Sequence, residues 1–134
     1  MTPVTQRDLT AYDLMHRDVL VVDATTVVLD VWSAMLSRGV EHAVVAHDGS
    51  CLGVVAMRAM QVAWGLELSP VAARPVRPLV TATPAVGLEA GLPAVCRALL
   101  SAHDGAVMVL ADDATLLGLV TVADVLGRLG REDG

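Results

Sequence analysis

The residues best suited to chemistry in this chain stand near its end, in Gly118-Leu119-Val120-Thr121-Val122-Ala123-Asp124. An apolar run leads into a threonine, and an aspartate follows three residues later, where a short helix would begin. At such a junction the Thr121 hydroxyl and the free N–H groups of the first helical turn point the same way, a geometry suited to phosphate or sugar oxygens. Asp124, one turn on, shares that side and can accept hydrogen bonds from two vicinal hydroxyls, as a ribose presents them. The same two residues also fit a plain structural role. Thr121 would then cap the helix and Asp124 would favour the positive end of its dipole.

An imperfect copy of the pattern, Gly53-Val54-Val55-Ala56-Met57-Arg58-Ala59, closes the first half of the chain. Both copies follow an extended segment, a helix, a strand, an acidic turn and a second strand, so the architecture is a two-fold repeat.

The elements that must position these residues can be read in order. Val19–Val22 forms an extended run, and Asp23, Thr25 and Thr26 are helix-start residues. Apolar residues then recur at Val28, Val31, Trp32, Met35 and Leu36, one face of a helix that Gly39 stops. His42–Ala46 and Leu52–Ala56 read as strands joined by an Asp48-Gly49 hairpin turn. A helix over about Met57–Leu66 completes the first half. Residues 68–84, with four prolines, connect the halves and contain Leu79–Val80 as the extended entry to the second. There Gly87–Gly91 reads as extra loop, and Pro93 opens a helix running to about His103. Strands Ala106–Ala111 and Leu116–Val120 flank Asp112-Asp113, a closing helix covers Val122–Leu129, and Gly130–Gly134 is a polar tail. Each half is thus about β-α-β-β-α, too small to bury its own apolar faces well.

Composition narrows the function classes. With 54% hydrophobic and 18% charged residues, the 134-residue chain is globular rather than disordered. A net charge of −6, with nine scattered arginines as the basic residues, argues against nucleic acid. Aromatic content of 2% removes the stacking platforms of single-strand binders. No apolar run is long enough to span a bilayer and no signal pattern opens the chain, so a cytoplasmic protein without membrane partners is expected. Cys51 and Cys96 lack metal-site or disulfide-framework spacing, and His16, His42, His47 and His103 are likewise without ligand spacing, so no metal is expected.

The tandem order, with Tyr12-Asp13-Leu14-Met15 before Val19-Leu20-Val21-Val22 and the final G-x-x-T-x-x-D at Gly118–Asp124, resembles a pair of cystathionine-β-synthase (CBS) domains, a Bateman module, over about residues 10–130. The resemblance implies an α/β fold of two β-α-β-β-α repeats packed sheet-to-sheet as a pseudo-twofold pair. The corresponding divisions are a lead at 1–10, repeat 1 at 11–67, a linker at 68–75, repeat 2 at 76–130 and a tail at 131–134. It further implies a regulatory module, not an enzyme, that needs no cofactor and forms homodimers. Its ligand would be an adenosine compound such as AMP, ADP, ATP or S-adenosylmethionine, and its effect would pass to a separate effector protein.

By the same resemblance Asp124 would hold the ribose hydroxyls and Thr121 would contact ribose or phosphate. The base would lie between Val19, Leu20 and Val40, with backbone near Val40–His42 reading its edge and His42 on the rim. Arg58 could meet a phosphate. The chain departs from the pattern at Ala56 and Ala59, which cannot accept a ribose hydrogen bond, and at Met108, where the family often has proline. One good site per chain is therefore expected. With so few clustered cations, AMP or a neutral adenosine compound fits better than ATP. Trp32 and Trp64 fit a buried or dimer-interface role. No nucleophile elbow, P-loop or converging carboxylates support an enzyme. The alternative is a module that has lost its ligand and serves only dimerisation or docking.

Overall fold

The computed structural model describes residues 8–67 and 69–133. In chain order it contains α1 (Ala11–Leu14), β1 (Val21–Asp23), α2 (Val28–Arg38), β2 (His42–His47), β3 (Ser50–Ala56), α3 (Met57–Glu67), α4 (Ser69–Ala72), a 3-10 turn at Arg77–Leu79, β4 (Ala85–Val86), α5 (Leu92–Ser101), β5 (Ala106–Leu110), β6 (Leu116–Thr121) and α6 (Val122–Asp133). Two compact units divide these elements, and they cut across the sequence repeats. Val19–Ala82 form one; the described residues 8–18 join residues 83–133 in the other.

The first-repeat unit is a three-stranded sheet in the order β1-β2-β3, with β1 parallel and β3 antiparallel to β2. Asp48 and Gly49 both take positive φ, 50° and 79°, the two-residue turn that matches the twist of a tight hairpin. The helical stripe holds for Val28, Val31 and Met35 of α2, buried with Ala43, Val45 and Val55 of the sheet and Met60 of α3, and Trp32 packs partly buried against them, but Leu36 is largely exposed. Gly39, at φ 67°, ends α2, and the Val40 N–H returns to the Met35 carbonyl at 3.0 Å.

The start of α2 differs from the expected side-chain cap. Asp23 accepts both the backbone N–H and the hydroxyl of Thr25, a local turn that stops short of the helix. The free N–H of Val28 is instead satisfied at 2.9 Å by the carbonyl of Arg74, and Val76 N–H donates to Thr26. The segment leading toward the second repeat thus completes the first unit, where Val71 and Val76 join the core.

The second-repeat unit mirrors this plan, with sheet order β4-β5-β6. Its entry strand is Ala85–Val86, which pairs in parallel with Met108–Val109, and not Leu79–Val80. Leu79 lies in the 3-10 turn instead, because Pro78 in that turn has no N–H to give to a ladder. Gly87–Gly91 is no insertion either. It bridges β4 to α5 much as Ala24–Val27 bridges β1 to α2.

The N-terminal segment completes this unit in turn. Ala11 and Tyr12 N–H groups donate to the carbonyls of Ala90 and Leu88, and Leu92 N–H donates to Leu9. Leu9 and Ala11 are fully buried, beside Val95, Val109 and Val120. Residues 1–7 of the expected lead lie outside the described residues, but Leu9 and Thr10 are built into the unit. At the other end α6 runs to Asp133, through the expected tail, and residue 134 lies outside the described residues. Gly127 and Gly130 each cost such a helix about 1 kcal/mol relative to alanine, too little to end it.

Candidate functional site

β6 passes into α6 without a spacer, because Thr121 ends one and Val122 begins the other. The Thr121 backbone N–H and hydroxyl both donate to Oδ2 of Asp124, at 2.8 and 3.0 Å. The Asp124 N–H donates back to Thr121 Oγ1 at 3.2 Å. This is a capping box built from aspartate, and it satisfies donors that a helix start leaves open. The capping role and the orientation of a carboxylate beside a helix N-terminus are therefore the same set of bonds.

His16 joins them from the N-terminal segment. Its backbone forms an antiparallel bridge with Leu119, with His16 N–H to the Leu119 carbonyl at 2.9 Å and the reverse bond at 3.1 Å. The ring Nδ1 then lies 2.8 Å from Asp124 Oδ2. Gly118 permits this approach. A Cβ there would sit 2.6 Å from the His16 carbonyl oxygen and 2.9 Å from Met15 Sδ. The glycine of the G-x-x-T-x-x-D pattern is thus required by a crossing backbone, while Thr121 and Asp124 make the cap.

The electrostatics follow. The hydrogen bond to Asp124 raises the His16 pKa above its ordinary 6.5, against the opposing effect of burial and with added attraction from Asp124 and Asp18. Burial pushes the Asp124 carboxyl up, but the bonds from His16 and Thr121 outweigh it and hold the group below its ordinary 3.8. The side chains are 39% and 23% exposed, so the pair is reachable from solvent. Oδ1 of Asp124 takes part in none of these bonds.

The corresponding place in the first-repeat unit keeps the backbone and loses the chemistry. Thr81 N–H donates to the Val54 carbonyl, where His16 meets Leu119 in the other unit. Ala56 and Ala59 stand where Thr121 and Asp124 do, and the start of α3 is served by a carbonyl, Glu41, which accepts the Met57 N–H at 2.8 Å.

The remaining expected site residues all belong to the first-repeat unit. Val19 is half-buried beside the entry to β1. Leu20 is a core residue, and its carbonyl accepts the Val44 N–H. Val40 is half-buried against the same core. His42 opens β2 opposite Ala56, and Arg58 is exposed in the first turn of α3. Thr121 and Asp124 are brought together with each other and with His16, which the sequence pattern did not single out. Its partner is 108 positions away, so no local spacing marks the pair. Position does mark it, because His16 directly follows the Tyr12–Met15 entry motif.

A second acid–imidazole group lies at the hairpin, where His47 stands 3.6 Å from Asp23 and 3.4 Å from Asp48. Among the described residues no group of three or more His, Cys, Asp or Glu side chains is placed to hold a metal ion. Trp32 and Trp64 meet edge to face at 5.9 Å and, with Gln61 and Gly65, line an open groove of about 300 Å³. No helix among the described residues is long and apolar enough to cross a membrane.

Residues 11–61 match the family model for the CBS domain. The fold over nearly the whole chain is that of known CBS-pair structures. The CBS domain protein TA0289 of unknown function from Thermoplasma acidophilum superposes with a TM-score of 0.81 at 21% identity, over 92% of this chain and 71% of that one. The CBS-pair protein CBSX2 from Arabidopsis thaliana does so with 0.76 at 23% identity, over 93% and 97%. A CBS domain pair/ACT domain protein from Thermotoga maritima gives 0.70 at 17% identity, over 94% and 100%. No curated protein matches the chain in sequence. Residues 11–61 thus carry the CBS-domain pattern, and the chain has the fold of a tandem CBS pair, with two three-stranded α/β units.

Proposed function

We propose that this CBS pair is a regulatory module that binds an adenosine-containing ligand, AMP-like in character, at one site per chain. The observation that carries the reading is the asymmetry between the two helix starts. Thr121 and Asp124 form an ordered, partly exposed polar cap, while Ala56 and Ala59 offer hydrocarbon. Asp124 would receive the ribose hydroxyls and Thr121 the ribose or phosphate oxygens. Val19, Leu20, Val40 and His42 would supply the base contacts and Arg58 a phosphate contact, as the family pattern implies. The module itself performs no catalysis and needs no resident cofactor. Ligand binding shifts the population of its conformations and so alters the surface offered to a separate effector protein in the cytoplasm.

Homodimer formation belongs to the same proposal. Leu36 and Val62 are 59% and 56% exposed on α2 and α3, and Leu100 is 87% exposed on α5. Apolar side chains left open on several helices favour burial against a second copy.

Titration calorimetry with AMP, ADP, ATP and S-adenosylmethionine, on the wild type and on Asp124→Ala, tests the reading. About one ligand bound per chain, lost in the variant while its circular dichroism stays unchanged, supports it. No heat from any of the four ligands favours the second reading, a ligand-free dimerisation or docking module. That reading is favoured by one observation: the Thr121–Asp124 bonds already serve the helix cap.

A further inference from the structure

Oδ2 of Asp124 has two lone-pair positions and already faces three donors, the N–H and hydroxyl of Thr121 and Nδ1 of His16. A vicinal diol that engages both carboxylate oxygens must find room on Oδ2. The Thr121 donors belong to the cap that starts α6. His16 is the donor that can leave without opening the helix, because its backbone is held independently by two bonds to Leu119. A neutral imidazole N–H on a carboxylate already makes a charge-assisted hydrogen bond. An imidazolium adds the attraction of opposite charges, so taking it off forfeits more.

We infer that His16 sets the conditions for ligand capture at the Thr121–Asp124 site, making the binding of a ribose-type diol proton-linked: weak while His16 carries its second proton, and tighter once it is lost. The inference rests on the adenosine-site reading above and adds its regulation and the residue responsible.

The surroundings fit such a role. Two carboxylates act on the ring, Asp124 from α6 and Asp18 from its own segment. β6 meets this segment through the backbone of Leu119 and the bare Gly118. Arg17, next in sequence, lies over the Tyr12 ring at 4.8 Å, and Arg128 stands one turn beyond Asp124 on α6. Both acids favour the imidazolium and raise its titration above the ordinary 6.5.

Calorimetry with AMP at about pH 5.5 and about pH 8.5, on the wild type and on His16→Asn, is the test. Asparagine keeps an N–H donor without a titratable ring. Wild-type affinity should rise by roughly tenfold from the lower to the higher pH, and the variant should lose most of that rise. Free AMP titrates identically in both experiments, so that part of the pH dependence cancels in the comparison. With 2′-deoxy-AMP, which lacks the diol, the two proteins should behave alike. A second readout is the His16 ring resonance, whose pKa should fall on saturation with AMP because linkage is reciprocal. Equal pH dependence in both proteins, with AMP bound, would overturn the inference and leave the site reading intact. No AMP binding by either protein at either pH would remove the site reading and this inference with it.

Discussion

Gly118 has the least freedom of the residues at the site. Replacing it with alanine puts a methyl 2.6 Å from a backbone oxygen that is itself paired, so the N-terminal segment must shift or part from β6. Overpacking of this kind costs about 1–3 kcal/mol, and urea unfolding of Gly118→Ala should show a loss of that order. The His16–Asp124 pair makes a smaller, pH-dependent contribution. His16 titrates above its ordinary 6.5 when folded, so its share is complete below that value and fades as pH rises through the raised one. Asp124 titrates below 3.8, so its share is complete above 3.8 and fades as pH falls through the lowered one. The stability gap between the wild type and His16→Asn should therefore be widest from about pH 4 to 6.5 and narrow toward about pH 8.5, at under about 1 kcal/mol for so exposed a pair. Thr121 and Asp124 were legible in sequence because three residues separate them on one helix start. His16 was not, because its partnership depends on the fold.

The same distinction holds for whole elements. The α2 stripe and the Asp48-Gly49 turn were readable because periodicity and turn chemistry are local properties. The start of α2 is not legible locally, because a carbonyl from Arg74, far along the chain, does what a nearby side chain would do. The entry strand of the second repeat is Ala85–Val86 although Leu79–Val80 looks extended in composition, because Pro78 in the turn removes a donor that a strand would need. α6 outruns the expected Val122–Leu129 and continues through Gly130 to Asp133. Its Gly127 and Gly130 meet nothing within 4 Å of an added Cβ, so nothing around them requires glycine. Gly127→Ala and Gly130→Ala should each stabilise the helix by up to about 1 kcal/mol, read as a rise in Tm.

For the whole molecule, the repeats visible in sequence and the units visible in space are different divisions of the chain. A fragment cut at the repeat, residues 11–67, carries α1 without its partners and lacks Arg74 and Val76. The fragment Val19–Ala82 contains every described segment of its unit. Circular dichroism should find the second fragment folded and the first largely unfolded. Deleting residues 1–18 from the full chain should unfold the second-repeat unit, whose core would lose Leu9, Ala11 and Leu14. The exchange also sets an order of events during synthesis. The first-repeat unit is one continuous stretch and can close as soon as Ala82 has left the ribosome. Residues 8–18 are made before that unit yet must wait, with Leu9, Ala11 and Leu14 unsheltered, until the strands after Thr83 arrive to receive them. Contacts so distant along the chain form slowly, so the second repeat sets the pace of folding, and residues 8–18 stay longer within reach of chaperones and proteases than Val19–Ala82 do.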